Sequence, residues 1–277
     1  MTTDLNPFQI SVMTFPVPLL GSLLLIVCKR ISPVWNFKVM LLHVVAGISL
    51  FSAVCCLTFS YEYIPLGDAV AISFVSLILV GILSWIILRE PLRLYDLALA
   101  FTALAGVVCI ARPSFIFGSS DKKHSNNNTL LGAAFALGTA FSSSVMMVSV
   151  RKLSQLGEHS LLTSFANDLI ILLFNDIICL ATREWQSTDM TIWLWCLGGG
   201  AAFLVGQVTF YIALSTESAT LVNIVATLQI VLSFILEFLF FHIVPSWTSA
   251  VGGGLIMLAS VGAVAKKPVE DEQQTSE

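Results

Sequence analysis

Nine stretches of this sequence, each about 18 to 24 residues long, pass with almost no charge, and no other feature constrains the fold so tightly. They cover residues 8–28, 40–61, 66–88, 95–112, 130–150, 160–182, 191–214, 218–241 and 246–265. A helix needs about 20 apolar residues to cross a hydrocarbon layer roughly 30 Å thick. Within that layer every backbone N–H and C=O must be paired inside the protein, which leaves helices or closed barrels. The runs lack the two-residue alternation of a barrel strand. The predicted fold class is therefore all-α, a polytopic membrane helix bundle of about nine transmembrane helices. Composition matters at one point: only 11% of the residues are charged, against roughly 25% in a soluble domain. Lipid is the solvent this chain expects.

Basic residues in the short loops set the orientation. With the N-terminus outside, Lys29, Arg30, Lys38, Arg89, Arg93, Arg151, Lys152, Lys266 and Lys267 face the cytosol, and Arg112, Lys122, Lys123 and Arg183 face the other side. The acidic tail after Lys267 is then cytosolic. Asn127, with Asn128 and Thr129, forms an N-glycosylation sequon in the polar loop that this orientation puts outside or in a lumen. The net charge of −4 and the lack of a basic stripe exclude a nucleic-acid partner. None of the six cysteines has metal-ligand spacing, and no cofactor motif is present, so neither a metal nor a cofactor is expected.

The chain repeats itself about a polar loop at 118–129. The segment from Ile64 through Gly67, Asp68 and Ala69, past the turn Leu88-Arg89-Glu90-Pro91 to Ala111-Arg112-Pro113, has a counterpart that runs from Ser218 to Asn223, past His242–Pro245, to Lys266-Lys267-Pro268. In both, a helix opening on small and polar residues leads to a proline-containing turn and then a Gly/Ala-rich helix. Halves of opposite orientation characterise inverted-repeat transporters, whose substrate site lies near the membrane midplane between the repeats.

These blocks resemble the EamA-type repeat of the drug/metabolite transporter superfamily. Pro113–Gly118, Glu184-Trp185 and Val244–Trp247 look most like solute carrier family 35, subgroup G. The resemblance implies ten helices with both ends cytosolic. It aligns residue 8 with the second helix, so the first repeat here, 1–117, is expected to hold four helices and to lack the first, which helps line the central cavity. The second repeat, 130–265, holds five, followed by a cytosolic acidic tail at 266–277. Subgroup resemblance further implies a small organic anion as solute.

Ionisable side chains inside a bilayer cost about 2.5–3.5 kcal/mol each and mark functional candidates. His43 and Asp176 lie near the ends of their spans, as does Glu237, within reach of the interface. Asp168 is deepest, roughly 12 Å from the start of its span. Ser164, Asp168 and Asn175 share a helical face; Gln207 and Tyr211 stand one turn apart; Gln229, Ser233 and Glu237 form another stripe beside Asn223 and Thr227; Ser73, Ser76 and Ser84 lie along one face of 66–88. Stripes of Asp, Gln and Glu should point into the bundle and line a water-accessible path, whereas single hydroxyls serve equally as interhelical hydrogen bonds. Gly198–Gly200 and Gly252–Gly254 read as close helix contacts, and Pro16 with Pro18 as a kink.

Three function classes meet these residues. A carrier working by alternating access, moving a small polar solute and coupled to protons through Asp168 or Glu237, accounts for the repeats and the buried stripes. A non-transporting membrane regulator at the endoplasmic reticulum, or a subunit binding itself or another membrane protein, accounts for the missing helix. A membrane enzyme has no support: Asp168 and Asp176 stand roughly 12 Å apart on one helix, and no catalytic motif is present. Plasma membrane and endoplasmic reticulum or Golgi are both open as locations, and an anion would have to be held by helix N-termini, amides and hydroxyls, because no span carries an interior Lys or Arg.

Overall fold

A computed structural model describes residues 7–32, 36–113, 116, 126–182, 189–241 and 247–274. Among them the elements are helical throughout: α1 (Pro7–Thr14), α2 (Pro16–Lys29), α3 (Phe37–Tyr63), α4 (Leu66–Ser73), α5 (Ser76–Leu83) running into a π turn (Ser84–Leu88), α6 (Leu94–Ala111), α7 (Asn126–Gln155), α8 (Ser160–Thr182), α9 (Met190–Thr216), α10 (Ala219–Ala226), α11 (Leu228–Phe241) and α12 (Trp247–Gln274). Among the described residues, eight spans are long and apolar enough to cross a membrane, from Gln9–Lys29 to Trp247–Ala265. The ninth expected span, 218–241, is divided between α10 and α11 at Thr227. Glu237 and Asn127 lie outside the residues whose side chains are described, as do the loop 117–125 and most of the acidic tail.

The first span is interrupted where its prolines lie. Pro16 and Pro18 open α2, and α1 ends at Thr14. Pro18 has no N–H to offer the Thr14 carbonyl four residues back. That carbonyl lies against α9 at Gly200, where a Cβ would stand 2.6 Å from it, whereas Gly198 and Gly199 meet nothing within 4 Å. Only one glycine of the triplet is a contact.

Packing gathers the chain into two compact units, Met1–Ser52 with Val145–Thr216, and Ala53–Ser144 with Glu217–Glu277. The units follow contact and the expected domains follow repetition, so their boundaries differ, and those of the units fall inside α3 and α7. In the first unit α1 and α2 pack on α8 and α9. In the second α6 lies along α12, with Gly106 and Gly252 so close that a Cβ on either would stand 2.7 or 2.5 Å from the other's carbonyl oxygen. Leu77, Ala100, Ala103, Ile224, Ala259 and Ala263 make its core. The Glu-Pro turn has a job there: Glu90 Oε2 accepts from the Ala219 amide, 3.3 Å away at the start of α10. A carboxylate at a helix N-terminus satisfies an otherwise orphaned N–H and complements the helix dipole.

Both repeats break the same helix. The one that opens at Leu66 stops after eight residues, at Ser73, and resumes at Ser76; the one that opens at Ala219 stops after eight, at Ala226, and resumes at Leu228.

Candidate functional site

The helices of the first unit are built inside out. On α8 the large apolar side chains Leu173, Ile177 and Leu180 are exposed, while Ser164, Asn167, Asp168 and Asn175 are buried. On α9, Leu194, Trp195 and Val205 face outward, and Gln207 and Tyr211 are buried. Water would reverse this arrangement, because burial of polar groups is costly and burial of apolar ones is favourable. A hydrocarbon surround makes it the stable one.

The two buried faces meet. Gln207 Nε2 donates to Asp168 Oδ1 at 2.8 Å, and one turn along α9 the Tyr211 hydroxyl accepts from Asn167 Nδ2, also at 2.8 Å. The Ser160 hydroxyl donates to the Tyr211 carbonyl at 3.3 Å, fixing the start of α8 against α9. Asn175, two turns beyond Asp168 on the same face, donates to the Ile171 carbonyl at 2.9 Å. Asp168 is 0% exposed and has no basic partner among the described residues. Its second oxygen, Oδ2, is buried without a hydrogen bond, as are Ser164 Oγ, Asn167 Oδ1, Asn175 Oδ1 and Gln207 Oε1. Buried polar atoms in folded proteins are nearly always paired, and leaving one unpaired costs about 1–3 kcal/mol. Five such oxygens on two facing helices are a concentration that packing alone does not require.

The expected site residues thus separate. Asp168, Asn175, Gln207 and Tyr211 form this group in the first unit. In the second, Asn223 Nδ2 donates to the Ser76 carbonyl at 3.3 Å, beside the α4–α5 break, and Ser73 turns its hydroxyl back to the Val70 carbonyl at 2.8 Å. Gln229 and Ser233 are exposed, contrary to the inward stripe expected of them, and Ser233 donates to the Gln229 carbonyl of its own helix. Asn167 was not anticipated: counting every fourth residue along α8 from Ser164 passes over the position at i+3, which shares the face. Gln9 on α1 is a second addition, 0% exposed in the unit that holds the group.

His43 is tied up elsewhere. Its Nε2 lies 3.5 Å from Glu158 Oε1, and Glu158 sits in the turn between α7 and α8. Arg151 donates through Nη1 to the Leu214 and Ser215 carbonyls, both at 3.0 Å, capping the C-terminal end of α9.

A profile described as the EamA-like transporter family matches residues 1–112 and 130–265. Solute carrier family 35 member G1 of Homo sapiens is 31% identical over 229 residues, 81% of this chain and 62% of that protein. The protein of the same description from Mus musculus is 31% identical over 225 residues, 80% of this chain and 61% of its own length. The chain therefore spans about three fifths of these relatives. A protein described as a pseudopaline exporter, from Pseudomonas aeruginosa, is 29% identical over 213 residues, 74% of this chain and 68% of the relative. A solved crystal structure superposes with a TM-score of 0.81 at 18% identity, over 95% of this chain and 90% of that one, a likeness of fold alone.

Proposed function

This chain belongs to the EamA-like transporter family, and from that premise we propose that it carries a small polar solute across its membrane by alternating access. Its fold is that of a multi-pass membrane protein, with eight helices suited to crossing a bilayer among the described residues. The observation that carries the reading is the buried carboxyl–amide pair Asp168–Gln207, with Asn167 and Tyr211 beside it, on helices whose outer faces are apolar. An uncompensated carboxyl in a span is expensive, and in carriers such groups line the passage. The helix breaks at Phe74-Val75 and Thr227 support the same reading by recurring at matching points of the two repeats, as interrupted helices do in inverted-repeat carriers; the backbone N–H and C=O groups of these three residues themselves stay bonded within the chain. That one relative is named an exporter adds support for solute movement.

In this reading Asp168 is also the group on which a coupled proton rides, the C-terminus is cytosolic, and the membrane is that of the cell surface or of the endoplasmic reticulum and Golgi. The test is uptake by purified protein in sealed vesicles, across a broad solute panel and with an imposed pH gradient. We expect saturable, gradient-dependent uptake of at least one solute, reduced about tenfold or more in Asp168→Asn while the yield of folded protein holds. Uptake equal to the parent in that variant removes Asp168 from the path. No uptake of any solute, together with a stable membrane-protein partner, favours a regulatory protein instead.

A further inference from the structure

We infer that the α8–α9 polar group receives a positively charged, hydrogen-bond-donating group, an ammonium, and not a carboxylate. The inference rests on the transport reading above and narrows its substrate class, against the organic anion that subgroup resemblance implies.

Unpaired acceptors outnumber unpaired donors in this group. Asp168 is acceptor-only when ionised, so the Gln207 amide must turn its NH2 toward it, which leaves Gln207 Oε1 free. The Ile171 carbonyl likewise only accepts, so the Asn175 NH2 faces it and Asn175 Oδ1 is left free. In the arrangement observed, Asn167 gives its NH2 to Tyr211 and keeps Oδ1 free, and Asp168 keeps Oδ2 free. Each amide in the group gives one N–H to the protein and keeps its oxygen unpaired, and the Ser164 hydroxyl is buried without a partner as well. What faces a ligand is chiefly oxygen lone pairs and one negative charge, with the Ser164 and Tyr211 hydroxyls able to donate as well as accept.

Charge points the same way. Neither α8 nor α9 contains Lys, Arg or His, and α1 and α2 contain only Lys29, at the end of α2. Of the basic residues that α3 and α7 bring to this unit, Lys38 lies at the start of α3 and Lys152 at the end of α7. His43 faces Glu158, and Arg151 is bonded to the end of α9. A carboxylate entering here would meet a like charge and mostly acceptor atoms, with no cationic donor among the described residues of these helices to replace its lost water, an arrangement by which sites reject a ligand. An ammonium offers three N–H donors and a compensating charge, and hydrogen bonds between ionised partners are about twice as strong as neutral ones. Asn175 Oδ1, roughly 10 Å further along the same face of α8, gives a second amine or a hydroxyl of the solute an acceptor. An alkali ion uses the same oxygen chemistry, so the two must be separated by measurement.

The full-length protein in detergent, and then in sealed vesicles, is offered methylammonium, ethanolamine, putrescine and spermidine; acetate, lactate, succinate and citrate; and sodium chloride. We expect one or more amines to raise the thermal midpoint and to enter the vesicles. In Asp168→Asn the apparent affinity should fall about tenfold or more, in Asp168→Glu the amine preference should persist, and the carboxylates should be inert. The parent's response to the panel decides the ligand class even if a variant fails to fold. Uptake of a carboxylate with no response to any amine overturns the ammonium assignment and leaves the transport reading intact. Protection by sodium alone, lost in Asp168→Asn, overturns it in favour of an alkali ion at the same oxygens. Amine binding without uptake of any solute upholds the ligand class and refutes transport; no response to any member of the panel refutes both.

Discussion

Asp168 carries opposite expectations for stability and for activity, and that opposition separates a functional carboxyl from a structural one. Placing a carboxyl in the middle of a span costs about 2.5–3.5 kcal/mol, and one donor from Gln207 offsets part of it. Asp168→Asn keeps the acceptor that Gln207 uses and removes the charge, so the thermal midpoint should hold or rise while uptake falls; a drop in the midpoint would mark Asp168 as structural. Gln207→Leu does the reverse. It leaves Asp168 without its donor, and the midpoint should fall by the equivalent of about 1–3 kcal/mol. Gly157 gives a third expectation, away from the site. It follows α7 with φ of +85°, and the Glu158 amide closes the helix end on the Leu153 carbonyl at 3.1 Å. No atom lies within 4 Å of a Cβ placed there, so Gly157→Ala meets only backbone cost, about 1–2 kcal/mol of lost stability, read from the same melting curve.

Between helices the decisive quantity is how closely two backbones approach. At the crossing of α6 and α12 a side chain on Gly252 would meet the Gly106 carbonyl at 2.5 Å and Ile110 at 2.7 Å, whereas one on Gly254, in the same triplet, meets nothing within 4 Å. Gly252→Val should therefore lower the thermal midpoint or abolish folding, overpacking commonly costing about 1–3 kcal/mol or more, and Gly254→Val should leave it unchanged. Equal behaviour of the two would contradict the crossing. The triplet was legible in the sequence as a contact, but not which glycine makes it, because one helix does not reveal how its neighbour is rotated. Gln229 and Ser233 show the same limit: their spacing put them on one face, yet the rotation of α11 is set by what α10 and α12 offer it, and the face came out exposed. The stripe on α8 was readable because Asp168 cannot be left in lipid, whichever way the helix turns. Its partners on α9, Gln207 and Tyr211, were readable for the same reason, and the pairing of Asn167 with Tyr211 was not, since it depends on the register between two helices. The break after eight residues in α4 and in α10 was foreshadowed only as a helix opening on small and polar residues.

At the scale of the whole chain, the number of crossings fixes the relation between loops that are distant in sequence. Nine apolar runs were expected, and eight spans among the described residues qualify on length and composition, Leu66–Leu88 among them despite its break; the remaining segment, α10 with α11, is an apolar helix described over Ala219–Ser233. Together these two cover Ala219–Phe241, 23 residues or roughly 35 Å at 1.5 Å per residue, long enough to cross despite the break at Thr227. Parity decides whether they do. If they cross, the loop between α8 and α9 and the C-terminus lie on opposite sides, with the loop bearing Arg183 outside and Lys266 and Lys267 in the cytosol, as the distribution of basic residues requires. If α10 and α11 turn back within the bilayer, the same two points share a side and Lys266 and Lys267 lie outside, against that distribution. A short epitope inserted at Ser187 and another fused after Glu277, each probed with antibody in intact and in permeabilised cells, distinguishes the two. We expect an epitope at Ser187 to be protected from cytosolic reagents and one at Glu277 to be accessible to them. Matching accessibility would mean that the broken helix re-enters without crossing, and that the inverted relation between the repeats fails in this chain.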